Sequence, residues 1–240
     1  MVLITLLLVA ILACVHIFAN GITSLNTMSK SKWLSFAGGI SIAFVFVHIL
    51  PELHNMQATL REEGRVSLLF ERYLYIISLL GVLLFYGLER ILIDMRENNT
   101  SKIPQSYKIS IFWWHVCMFA TFNLIIGYYL HHELIVYNFS TLFTFIALGF
   151  HLLIVDYSLL RHHESRYHNI GRWFMATAVF AGGVAGVFVT IPDIFSFALF
   201  ALVSGAIVVN SFKEELPKDK ENNYTFFLTG SIIYTVLLIL

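Results

Sequence analysis

Charged residues are scarce in this chain, and their scarcity sets its class. Lys, Arg, Asp and Glu make up only 12% of the 240 residues, against a soluble average of about a quarter. The fifteen basic and fifteen acidic residues cancel, and no basic run is present, so nucleic acid is not an expected partner. Hydrophobic residues reach 58% and the mean hydropathy is +0.77. The composition therefore predicts an integral membrane protein with the lipid bilayer as its surroundings.

Cysteine is nearly absent, and period-2 alternation of apolar residues is missing altogether. Cys14 and Cys117 both lie inside apolar runs, where they act as small apolar residues and provide no disulfide framework. Because lipid offers no partner to an open backbone, a spanning element must be a helix or a closed barrel. Continuous apolar runs without alternation favour helices, so we predict an all-α fold.

What is present instead is a series of long apolar runs. Each is about 20 residues long, which at about 1.5 Å per residue matches a hydrocarbon core of about 30 Å. We predict eight transmembrane helices in a single integral membrane domain, residues 1–240. The spans cover about 1–19, 33–53, 73–88, 109–130, 140–160, 173–191, 195–212 and 224–240.

The basic residues are distributed unequally between the two sides that eight spans define. Twelve of the fifteen fall in connections on one side, whereas Arg61, Arg65 and Arg72 lie on the other. Short loops rich in Lys and Arg stay in the cytoplasm. This asymmetry predicts a protein of the cell membrane with both termini outside.

The two central spans carry polar side chains at membrane depth. The fourth contains His115 and Asn123, and the fifth contains His151 and Asp156. Such groups are costly in hydrocarbon and are candidates for function. We therefore name these four residues as candidate metal ligands. His16, near the end of the first span, is interpreted instead as a histidine of the membrane interface.

The relative depth and rotation of these groups suggest which of them meet. His151 and Asp156 are rotated by about 140° on one helix at about 100° per residue, so one face cannot present both to one ion. His115 of the antiparallel fourth span lies at the depth of Asp156 and is its simplest partner. The hypothesis is a polar file of all four residues that carries a cation or protons. The alternative is a set of buried hydrogen bonds that only fix helix packing.

An internal match relates the second span to the seventh at an offset of 166 residues. The two spans cross the membrane in opposite directions, so a genuine match makes them inverted repeats, a feature typical of transporters. Three spans would then lie on each side of the central pair, in a 3+2+3 arrangement. The matched pairs are Gly39 with Gly205, His48 with Glu214, Leu50 with Leu216 and Pro51 with Pro217.

The same two spans resemble those of the ZIP family of zinc and iron transporters. The second has Ala37-Gly38-Gly39 early and His48-Ile49-Leu50-Pro51-Glu52 at its end, and the seventh runs from Ser204-Gly205-Ala206 into Glu214-Glu215-Leu216-Pro217. The resemblance implies eight spans, both termini outside the cell, and inverted repeats formed by the spans on either side of the central pair. It also adds His48, Glu52 and Glu214 as transport-path candidates.

The metal motifs of the fourth and fifth spans are degraded, which marks a divergent member. Of the family's His-Glu-x-Pro-His-Glu motif, the fifth span keeps His151 and an acid, Asp156. The resemblance implies a transporter of a divalent cation, with zinc the expected ion, through a path lined by spans four and five. The ion is a substrate rather than a tightly bound cofactor, the protein is not an enzyme, and the layout allows a homodimer. Removing His151 or Asp156 is expected to abolish uptake and to leave folding intact.

Two other functions remain open. One is a non-transporting scaffold or accessory protein that keeps the fold without the ions. The other is a membrane-embedded zinc hydrolase, for which Asp156 and three nearby histidines, His162, His163 and His168, gather towards one face. A catalytic zinc needs three protein ligands and an open position. Neither an HExxH motif nor a Ser-His-Asp spacing supports the hydrolase.

Overall fold

A computed structural model describes the chain over residues 2–19, 21, 27–65, 72–97, 105–135, 139–215 and 223–239. Every regular element in these ranges is helical, which confirms the predicted all-α class. Eight helices, α1 to α8, follow the eight predicted spans in order. They are α1 Val2–Phe18, α2 Thr27–Phe44 continued by Leu50–Glu62, α3 Tyr73–Glu97, α4 Gln105–Ile135, α5 Phe139–Arg166, α6 Arg172–Phe188, α7 Asp193–Asn210 and α8 Tyr224–Ile239.

Six of these helices are long and apolar enough to cross a membrane, and α1 and α8 are shorter apolar helices of 17 and 16 residues. This composition is compatible with an integral membrane protein. Within the described ranges, three π-helical turns interrupt the regular pattern: Val45–Ile49 inside α2, Tyr167–Gly171 between α5 and α6, and Ser211–Glu215 at the end of α7.

Helix α2 extends nine residues beyond the predicted end of the second span, to Glu62. The extension is amphipathic, since Leu53, Met56 and Leu60 are buried and recur at helical spacing. They pack with Leu74 of α3 in a small core cluster. The predicted span ended at residue 53, but the apolar stripe gives the helix a surface to pack against beyond that point.

The helices pack as one group of four and as two pairs. Helix α1 contacts α4, α5 and α6, and α4 packs closely on α6. The remaining four helices form two pairs, α2 with α8 and α3 with α7. Helix α2 also contacts α5 and so joins the groups. Most of the large core cluster lies where these elements meet, around Val9, Phe44, Ile126 and Leu152.

Glycines set the distance between α2 and α8. A methyl group at Gly39 would overlap the carbonyl oxygen of Phe227, and one at Gly230 would overlap that of Phe36. In lipid, where no hydrophobic effect draws helices together, small residues of this kind permit close packing.

The pair formed by α3 and α7 is built in the same way. A methyl group at Gly205 would overlap the carbonyl oxygen of Ser78, and one at Gly81 would overlap that of Leu202. Both pairs therefore cross with backbone against backbone.

Polar contacts tie together the helix ends that share a side. Arg65, after α2, lies 3.2 Å from Asp193 at the start of α7. Lys213, after α7, forms an ion pair with Glu89 near the end of α3. Each contact joins connections that eight alternating spans would place on the same face of the membrane.

Candidate functional site

Among the described residues, a deeply buried ionisable pair joins α1 to α5. The His16 Nδ1 atom lies 2.9 Å from each carboxylate oxygen of Asp156. The two residues are 1% and 0% exposed. His16, interpreted from the sequence as a histidine of the membrane interface, is turned into the protein, because α1 packs among α4, α5 and α6.

Two further residues complete this contact, and we call the four residues together the His16 network. The His16 Nε2 atom lies 2.9 Å from the Asn123 side-chain oxygen. The Asn123 amide nitrogen donates to the Phe119 carbonyl at 2.9 Å. The Tyr167 hydroxyl donates to Asp156 from the π-helical turn between α5 and α6. The network thus links four elements around one imidazole ring.

His115 does not take the predicted position beside Asp156, whose partners are His16 and Tyr167. The His115 Nδ1 atom lies 2.7 Å from His163 Nε2 instead. His163 is seven residues beyond Asp156, two turns further along α5. Depth could be estimated from the sequence, but the insertion of α1 beside Asp156 could not.

His151 lies in a second polar group on another face of α5. Its Nδ1 atom is 3.3 Å from the Ser41 hydroxyl of α2, which is 3.1 Å from the Ser211 hydroxyl at the end of α7. All three residues are buried. As the helical rotation requires, His151 and Asp156 face different neighbours, so the predicted file of four residues is divided among separate contacts.

A small cavity with an open mouth lies between α2, α4, α5 and α7. Its wall is mostly apolar, with His48, Thr144 and Ser204 among its polar residues. His48 Nε2 lies 3.1 Å from the Thr144 hydroxyl, and the His48 ring stacks on Phe44 at 5.2 Å. His48, one of the transport-path candidates, therefore lies at this cavity.

The cavity and the polar group around His151 both lie along the boundary between α2 and α5. His48 bonds Thr144, and seven residues away along each helix Ser41 bonds His151. Seven residues make two turns, or about 10 Å. The antiparallel helices α2 and α5 thus present two polar levels, one above the other.

The other two transport-path candidates, Glu52 and Glu214, lie in or beside π-helical turns. Glu52 is half-buried in α2 just after the π-helical turn. Glu214 belongs to the turn Ser211–Glu215, but its side chain lies outside the described residues. Within the described part of the chain, no group of three or more His, Cys, Asp or Glu residues lies close enough to hold a metal ion.

Several members of these groups were missed by reasoning from the sequence. His16 was noted in the sequence but interpreted as an interfacial residue, although it carried the same signal as His115, a histidine inside an apolar run. Ser41, Ser211 and Tyr167 carried no such signal, because hydroxyl groups are common in membrane helices. Comparison of the chain with protein-family models, with curated proteins and with solved structures finds no match.

Proposed function

We propose that the chain is a ZIP-like membrane transporter of a divalent cation, with zinc the expected ion. The observation that carries the proposal is a repeated helix crossing. Gly39 of α2 contacts Phe227 and Ser231 of α8, and Gly205 of α7 contacts Ser78 and Val82 of α3 in the same way. The glycine of α7 lies 166 positions after the glycine of α2. The residues contacted in α8 lie 149 positions after those contacted in α3.

The reciprocal contacts obey the same shifts. Gly230 of α8 meets Phe36, whereas Gly81 of α3 meets Leu202, and residue 202 is again 166 positions after residue 36. Two unrelated helix pairs would not be expected to share both a crossing and its register. The match supports a repeat that relates α2 and α3 to α7 and α8.

The π-helical turns of α2 and α7 agree with this register. They cover Val45–Ile49 and Ser211–Glu215, which are 166 positions apart, and Pro51 and Pro217 follow each at the same distance. Proline has no N–H to donate to the carbonyl four residues before it, and π-helical turns are frequent at functional sites.

A repeat of this kind indicates where an ion would pass. In transporters built from inverted repeats, the substrate site lies near the midplane at the repeat interface. Here α2 and α7 are the matched helices, and the cavity lies between them and the central helices α4 and α5. The proposed path enters past His48 and Thr144 and continues past His151 and Ser41.

The chemistry of this path suits transit rather than storage. Imidazole is a good ligand for zinc and other first-row divalent metals, and each level supplies one histidine with a hydroxyl partner. A transported ion must bind well enough to enter and weakly enough to leave. Two levels about 10 Å apart, each with one histidine, would let an ion pass from one to the other without a site that holds it tightly.

The uptake test uses purified protein in vesicles with Zn²⁺, Fe²⁺ and Mn²⁺ offered separately. His48→Ala and His151→Ala are each expected to lower uptake of the transported ion by about tenfold or more, since a ligand worth about 1.4 kcal/mol accounts for one factor of ten. His54→Ala is the matched control, because His54 is an exposed histidine of α2 bonded to Tyr75. Normal uptake by both path variants would reject the path.

The membrane orientation is tested separately, with Cys14 and Cys117 both replaced by serine. If both termini lie outside, Glu62→Cys should react with an impermeant maleimide in intact cells. Asn169→Cys should then react only after lysis. Both positions are exposed. The reverse labelling pattern would contradict the proposed orientation and would leave the helix count unaffected.

A non-transporting scaffold is the second candidate. It is favoured by the absence of a three-residue metal group within the described ranges and by the pairing of Asp156 with His16. Reconstituted wild-type protein that takes up none of the three ions, while keeping its helices and its unfolding transition, would favour the scaffold over the transporter.

A further inference from the structure

One basic side chain and three aromatic rings line an open pocket near the beginning of α2 and of α8. The lining residues are Lys32, Trp33, Phe36 and Phe226, and we call this pocket the Lys32 pocket. The Lys32 ammonium group lies 5.5 Å from the centre of the Phe226 ring. The pocket therefore places a positive charge beside an apolar wall.

The pocket lies at the ends of its helices, where the surface of a bilayer is expected. Lys32 is the second residue of the stretch of α2 that is suited to cross a membrane, Ser31–Glu62. The Asn223 N–H, just before α8, donates to the Ser35 hydroxyl at 3.1 Å, so both helices begin at one level. Trp33 is exposed there, and tryptophan concentrates at membrane interfaces. The pocket is thus at the depth of lipid headgroups.

The apolar wall is held in place by contacts behind it. The Phe36 ring meets the Phe150 ring of α5 edge to face at 6.0 Å and the Trp33 ring at 6.2 Å. Gly230 of α8 lies directly against the Phe36 carbonyl. A wall fixed in this way keeps its shape without a ligand, which lowers the entropic cost of binding.

The charge of Lys32 favours an anionic occupant. Among the residues that the structure describes, no carboxylate lies within ion-pair distance of its ammonium group. The Phe226 ring attracts the ammonium group but brings no negative charge. A lysine binds phosphate as a point charge, and the rings beside it offer a surface for an acyl chain. We propose that the Lys32 pocket binds one anionic phospholipid, with its phosphate on Lys32 and a chain against Phe36 and Phe226.

The inference rests on the membrane placement of the chain and not on transport. Lys32 belongs to the side that carries twelve of the fifteen basic residues. In the proposed orientation this side faces the cytoplasm, where the membrane leaflet carries anionic lipids. A zwitterionic headgroup adds a quaternary ammonium group, which Lys32 repels. The pocket should therefore distinguish lipids by headgroup charge, whatever the uptake assay shows.

The test is native mass spectrometry of the full chain in neutral detergent. Phosphatidylglycerol and phosphatidylcholine with the same acyl chains are added separately. The wild type is expected to bind the first phosphatidylglycerol about fivefold more tightly, since one basic residue near a membrane surface contributes about 1 kcal/mol to attraction of anionic lipid. Lys32→Gln should abolish this preference, whereas Lys32→Arg should keep it. Arg161→Gln is the matched control, because Arg161 is an exposed basic residue on the same side, and this variant should also keep the preference.

Phe226→Ala tests the apolar wall and is expected to weaken phosphatidylglycerol binding by about threefold, since less apolar surface is buried. Glycerol phosphate has a phosphate without acyl chains and should not compete at the same concentration. Competition by glycerol phosphate would identify a free phosphate as the occupant and would overturn the proposal. A wild type with no preference, a preference that survives in Lys32→Gln, its equal loss in Arg161→Gln, or unchanged binding in Phe226→Ala would each overturn it as well.

Discussion

Replacing Asp156 with alanine is expected to lower the free energy of unfolding by about 3–5 kcal/mol, as removal of one partner of a buried ion pair does. The carboxylate accepts from His16 and from Tyr167 and is 0% exposed. Without it, both groups stay buried without that acceptor. Thermal unfolding in detergent measures the loss.

The expected loss differs from what the sequence suggested, namely that Asp156 could be removed with folding intact. The comparison variant is Asp193→Ala, because Asp193 also pairs with a basic residue, Arg65, but its side chain is 63% exposed. Exposed pairs contribute about 0–1 kcal/mol. Equal losses in the two variants would show that the His16 network adds nothing to stability.

Alanine at Gly39 or at Gly205 is expected to destabilise the protein by about 3 kcal/mol or more, at the upper end of overpacking effects. The added methyl group would overlap the carbonyl oxygen of Phe227 in one pair and of Ser78 in the other. A backbone atom cannot rotate aside as a side chain can, so the helices of the pair must separate. Both losses should be similar if the two crossings are equivalent.

Gly87→Ala is the matched control for both, since Gly87 lies in α3 with no atom within 4 Å of an added methyl group. There the better helix propensity of alanine should give a neutral or slightly stabilised protein, by up to about 1 kcal/mol. Unfolding midpoints of the three variants test the set. A large loss at Gly39 with none at Gly205 would argue against the repeat.

Some features of this site could be predicted because they depend on one helix at a time. The rotation of about 140° between His151 and Asp156 follows from helix geometry alone, and the two residues do face different neighbours. The burial of Asp156 also follows, since a carboxyl group inside an apolar run needs an interior position. Each inference uses only local spacing and polarity.

Other features could not be predicted, because they depend on which helices are neighbours. Asp156 has a partner 140 positions away in α1, whereas His115, at the expected depth, bonds His163. In lipid every helix has an apolar surface, so hydropathy does not tell one neighbour from another. The choice rests on close contacts between small residues, which a single sequence does not rank.

The sequence by itself determined the all-α class, the number and order of the helices and their suitability for a bilayer, because each depends on the length and polarity of continuous segments. Only the tertiary structure decided that His16 contacts both Asp156 and Asn123, and that His48 and His151 lie along the boundary between α2 and α5. The physical reason is that a buried polar group takes whichever partner the packing brings within hydrogen-bond distance, and that packing is set by helices far apart in the chain.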